Sequence, residues 1–162
     1  MYKLFFSALF STALIISSCG NNDSGSNNDN TDATTSTDNA SSGSGSDYDS
    51  SVGAGKFKNV EVSATVDQSK AEAGEKIYDV KCSSCHKLTD EKLVGPGWKG
   101  VTARHKPEWI LNFVTNVDEM LDKDPKAQSM LEVCLVRMPN QNLTDDDAMN
   151  IYEFMRKNDG VK

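Results

Sequence analysis

Apolar side chains recur at helical spacing in four stretches of the chain beyond about residue 68. The pattern over about residues 69–82 predicts a helix carrying Gly74 and Tyr78. Pro107 suits the first turn of a second helix, in which Trp109, Ile110, Phe113, Val114 and Val117 share a face. Ala127, Met130, Leu131 and Cys134 mark a shorter third, with Cys134 expected as a buried structural thiol. Ala148, Ile151, Tyr152 and Met155 give a final helix its buried face, and Thr144 followed by Asp145, Asp146 and Asp147 caps its start. Val60, Val62, Ala64 and Val66 alternate. A lone strand would lack a partner, so this segment reads as an extended arm laid on a helical domain. No significant sheet is expected.

The first half follows different rules. Leu4 to Ile16 is an apolar run behind the positive Lys3, too short for a comfortable membrane span of about 20 residues. It ends in Ile16-Ser17-Ser18-Cys19, which resembles a bacterial lipobox. Residues 1–19 are therefore expected to be a lipoprotein signal peptide, with Cys19 the lipidated anchor. Several acyl chains on one Cys are what stable anchoring takes. Of the 36 residues 20–55, 31 are Gly, Ser, Asn, Asp or Thr. Such a stretch cannot bury enough apolar surface to offset chain entropy and is expected to be a disordered tether. A coil of that length spans roughly 30–35 Å. The folded domain is then expected over residues 56–162.

Composition narrows the function. The 162 residues carry 24 acidic and 17 basic side chains, and the pI near 4.8 argues against a nucleic-acid binder. A mean hydropathy of −0.52 excludes a polytopic membrane protein. Charge is uneven, though. Lys76 to Lys106 holds seven basic and three acidic residues, whereas Val117 to Glu153 holds three basic and nine acidic.

The chemistry concentrates at Cys82-Ser83-Ser84-Cys85-His86, the spacing of covalent c-type haem attachment. Two thiols on one helical turn can reach the two vinyl groups of a porphyrin, and the adjacent His points its ring at the iron. A thioredoxin-like redox pair would open a helix rather than end one. A zinc site would need a second ligand pair, and none has suitable spacing.

From here the sequence resembles a known family over about residues 67–159, the small monohaem class I c-type cytochromes. The resemblance rests on Gly74 to Tyr78, on Cys82 to His86, on Val94-Gly95-Pro96-Gly97-Trp98, and on Val136-Arg137-Met138-Pro139-Asn140 before a capped final helix. It implies an all-α cytochrome c-like domain wrapped around one covalent haem c. His86 and Met138 would be the axial iron ligands, and the Pro96 carbonyl would hold the other imidazole nitrogen. Trp98, Arg104 and Trp109 would complete the pocket, the last two near the haem propionates. The function implied is electron transfer rather than catalysis, by a monomer tethered at the outer, periplasmic face of a bacterial membrane. Donor and acceptor would be redox proteins: a quinol-oxidising complex, and a terminal oxidase or reductase. Two alternatives stand beside this reading: a haem enzyme or sensor with a labile Met138, and a subunit docked permanently on a larger reductase.

Overall fold

The computed structural model describes residues 48–162, so residues 1–47, with the expected signal peptide, its Cys19 and most of the expected tether, lie outside it. Six helices follow an irregular arm: α1 (Gln68–Lys81), α2 (Val101–Arg104), α3 (Pro107–Thr115), α4 (Val117–Lys123), α5 (Pro125–Cys134) and α6 (Asp145–Asn158). Among the described residues there is no strand, only an isolated bridge between His86 and Lys92. The all-α expectation holds.

Local chemistry sets the helix bounds. Asp67 caps α1 by accepting from the Lys70 N–H, and Asp124 caps α5 by accepting from the Ala127 N–H. Thr144 and Asp147 form a reciprocal capping box at α6, behind three acids in the first turn. Pro107 and Pro125 occupy first turns, where no N–H is needed. The stretch read as one helix from Pro107 to Val117 is two, because the chain breaks at Asn116 and Val117 opens α4.

The first and last helices cross in contact. At Gly74 an added Cβ would collide with the Asn150 carbonyl and lie 2.9 Å from Phe154 Cβ, so only glycine permits this approach. Tyr78 fills the crossing, its ring centroid 5.4 Å from Phe154 and 4.9 Å from Trp98. Leu111, Val117, Met120 and Ile151 are fully buried at the centre.

The arm is longer than the alternating pattern suggested. Val60 and Val62 pack against the core and Val66 is buried, as expected of an arm. Yet Val52 and Ala54, which fall within the stretch read as tether, are buried too. The tether boundary after residue 55 therefore needs correction, because the chain from Tyr48 onward has partners. Tyr48 Oη donates to Asp124 at 2.6 Å. Asn112, fully buried, donates to the Val52 and Phe57 carbonyls and accepts from the Phe57 N–H. Glu108 accepts from the Val60 N–H. Further along, Arg156 donates to the Ser63 carbonyl, and Glu153 accepts from the Asp67 N–H. Buried polar side chains thus satisfy a backbone that has no ladder of its own.

Candidate functional site

An apolar cavity of about 220 Å³ opens between the segment after α1, α3, α5 and the loop before α6. The chain's chemistry-bearing residues meet there. Cys85, His86, Pro96, Trp98, Arg104, Trp109 and Met138 all line it. Cys82 does not; it is buried in the core one turn before His86, whose N–H donates to the Cys82 carbonyl at 2.9 Å.

The turn that presents His86 is built from backbone. The Cys85 and His86 N–H groups both donate to the Cys82 carbonyl, and the His86 carbonyl accepts from Tyr78 Oη at 2.7 Å. The chain then loops back: Gly95 N–H donates to the Cys85 carbonyl and Trp98 N–H to the Lys87 carbonyl. This return places the Pro96 carbonyl oxygen 2.9 Å from His86 Nδ1. A carbonyl can only accept, so the proton belongs on Nδ1 and the lone pair on Nε2. Gly95 packs flat against the ring, where a Cβ would lie 2.8 Å from Nδ1 and 2.9 Å from Nε2. Burial lowers the imidazole pKa, with the Pro96 contact acting in the opposite sense.

Met138 enters from the loop that follows α5. That loop and the end of α5 leading into it are tied at three points. Arg137 pairs with Asp122 at 3.1 Å, Lys81 Nζ donates to the Gln141 carbonyl, and Lys92 Nζ donates to the Val133 carbonyl. Leu135 and Asn142 take positive φ values of 61° and 50° to make its turns. Of the other described methionines, Met130 and Met155 line the cavity with Met138, whereas Met120 is fully buried with its Sδ accepting from the Ala54 N–H and Met149 packs at the edge of the core.

The apolar face of α5 contributes to the cavity wall as well as to the core, against which Met130 and Leu131 pack. Cys134 is half-buried and lines the cavity with Met130 and Leu131, so the expectation of a buried core thiol fails. Helical periodicity marks a face as apolar; it does not say whether that face meets side chains or a cofactor. Phe113 and Val114 join the wall from α3.

The competing chemistries are now weaker. Burial pushes the Cys82 thiol up to about 11, whereas a redox-active Cys-X-X-Cys pair needs a lowered value. Among the described residues no cluster of His, Cys, Asp and Glu could hold a metal ion by itself.

The family profile described as Cytochrome c matches residues 71–159, more than half the chain. The chain belongs to the cytochrome c family. Solved structures agree. A cytochrome c from Rhodothermus marinus is 28% identical, with a TM-score of 0.63, covering 67% of this chain and 92% of its own. An engineered cytochrome c from the same organism is 28% identical, with a TM-score of 0.62 over 65% of this chain and 90% of its own. A third structure shows an engineered form bound to a carbene intermediate, with 28% identity, a TM-score of 0.59 and the same coverage. No curated protein matches the sequence. Cytochromes c carry haem c, covalently attached and typically one per domain, and membership implies haem-based electron transfer. The cavity suits such a group. Its lining is apolar, an unprotonated imidazole nitrogen is left free by Pro96, and the buried nitrogens His105 Nδ1 and Trp109 Nε1 on its wall have no hydrogen-bond partner.

Proposed function

We propose that this cytochrome c is a monohaem, class I electron carrier with His86 and Met138 as axial iron ligands and thioether links to Cys82 and Cys85. The observation that carries the reading is the hydrogen bond between His86 Nδ1 and the Pro96 carbonyl, in a cavity that Met138 also lines. It fixes the tautomer and raises the basicity of the free nitrogen, as second-sphere partners of ligand histidines do. When bound, the haem supplies one iron that cycles between ferrous and ferric states. The soft Met138 thioether favours the ferrous state and raises the potential. His86 and Met138, as the iron's two protein ligands, would leave no position open to oxygen or peroxide, and the chemistry supplied would be outer-sphere transfer of one electron. Phe113, Val114 and Leu121 give the cavity an apolar wall that would shield a bound haem from water.

The partners are redox proteins, a quinol-oxidising complex on one side and a terminal oxidase or reductase on the other. The basic stretch from Lys76 to Lys106 would steer acidic partner surfaces toward the haem edge. Cys19, lipidated, would hold a monomer at the outer face of a bacterial membrane, and residues 20–47 would act as the tether.

A redox titration of the full-length, haem-loaded protein, followed by visible spectra, tests the reading. The expected result is a single one-electron wave, a six-coordinate spectrum in both states, and no carbon monoxide adduct of the reduced form. A reduced form that binds carbon monoxide would instead establish an open iron site and an enzyme or sensor.

A further inference from the structure

Two segments of the cavity wall carry the iron ligands of the reading above. The first runs on from the end of α1 to Trp98 and holds His86; the second, α5 and the loop after it, holds Met138. Among the described residues, two side-chain hydrogen bonds connect them, and a lysine donates each. Lys92 Nζ reaches the Val133 carbonyl and Lys81 Nζ reaches the Gln141 carbonyl, both at 2.9 Å.

The two segments are fixed unequally. On the His86 side, Lys81 sits in the last turn of α1 beside Cys82, and Lys92 bridges to His86 through backbone. The Gly95 N–H donates to the Cys85 carbonyl and closes that turn. On the Met138 side, α5 packs chiefly on α4, and Arg137 reaches Asp118 and Asp122, both also on α4. Those ties hold the loop to its own side and do not reach His86. Leu135 and Asn142 take left-handed backbone at φ 61° and 50°, which a non-glycine residue keeps only where its surroundings enforce it. Burial does little of that enforcing, since Leu135 and Val136 are exposed.

The lysine contacts bracket the ligand, at Val133 before Met138 and at Gln141 after it. The last carbonyls of a helix have no partner within it and carry the negative end of its dipole. α5 has no basic residue in its own last turn, so Lys92 supplies that cation from the other segment. Beyond Met138, Gln141 Nε2 donates to the Pro139 carbonyl and the Asn142 N–H to Asn140 Oδ1. The turn is thus tied within itself, and a hold on Gln141 is passed to Met138 through it.

We propose that Lys81 and Lys92 are positioning residues that strap the Met138 loop to the His86 side of the cavity and so keep Met138 on the haem iron. The inference rests on the haem reading given above. A thioether is neutral, so no charge of its own holds it at the metal. How often its loop swings away sets how readily another ligand takes its place. Each hydrogen bond from a charged donor shifts the ratio of closed to open loop by roughly three- to tenfold. Lys81 and Lys92 therefore do two things in the basic stretch: they add to its charge, and they close the cavity.

The test is stopped-flow mixing of the full-length ferric haem protein with saturating imidazole, following loss of the sulfur-to-iron band as imidazole replaces Met138. Intact mass and resting spectra are recorded on the same samples. Lys81→Gln and Lys92→Gln, which remove the charge and shorten the reach, should each speed the replacement by about three- to tenfold. Lys81→Arg and Lys92→Arg keep a charged donor and should stay close to the wild-type rate. Lys99→Gln removes the same charge from the same stretch outside the two straps, and should change nothing. Wild-type rates in both strap variants overturn the proposal, as does an equal acceleration in Lys99→Gln, which would make net charge the cause. Missing covalent haem, or a wild type without the sulfur-to-iron band, would instead defeat the underlying haem reading, and the mass and resting spectra report that separately.

Discussion

Gly74 shows how much one absent methyl group decides. Helix propensity alone would favour alanine in the middle of α1 by about 1 kcal/mol. The Asn150 carbonyl and Phe154 Cβ leave no room for it. Backbone cannot rotate aside as a long side chain does, so the clash wins. We predict that Gly74→Ala destabilises the haem-loaded protein by about 1–3 kcal/mol in chemical denaturation. A stabilised variant would mean that the two helices do not approach this closely. At this scale the sequence was informative. Cys82, Cys85, His86 and Pro96 belong to short local patterns, whose spacing survives without knowledge of the fold. His105 carries no such pattern. Only the structure shows this lone histidine ahead of Pro107 stacked on Trp109 at the cavity wall.

Among the elements, the arm before α1 is the least legible. Tyr48, Val52 and Ala54 are scattered through Gly, Ser and Asp, and composition averages them away. Their anchors are polar residues on distant helices. Asn112 on α3 and Asp124 at the junction of α4 and α5 are both fully buried, and periodicity ignores such polar positions. The same blindness hid the second role of α5, whose apolar face packs on the core through Ala127, Met130 and Leu131 and also walls the cavity. The arm's contribution has a pH signature. Burial, then the hydrogen bond to Asp124, raise the Tyr48 pKa well above its ordinary value. A group raised by folding contributes stability that is fully present below its unfolded value, here about pH 10, and lost as pH climbs beyond it. Stability measured by denaturant should therefore hold at pH 8 and decline above about pH 10. Tyr48→Phe should decline less steeply than wild type; parallel curves would show that the phenol is not held by Asp124.

Across the whole molecule, charge and haem site combine. Seven basic side chains between Lys76 and Lys106 surround the attachment segment of a protein that is acidic overall. Part of that charge is neutralised locally, since Lys87 pairs with Glu91 at 2.6 Å. Electron transfer to an acidic redox partner should slow as ionic strength rises from about 0.01 to 0.15 M, where the screening length shrinks from about 30 to 8 Å. A rate that ignores salt would remove steering from the account and leave the haem chemistry intact. As proposed, that chemistry depends on an iron between His86 and Met138, so the most direct measurement is the visible spectrum and midpoint potential of Met138→Ala beside wild type. The account predicts loss of the sulfur-to-iron band, a lower midpoint, and a reduced form that now binds carbon monoxide. An unchanged spectrum and midpoint would contradict it, because the thioether would then never have been a ligand.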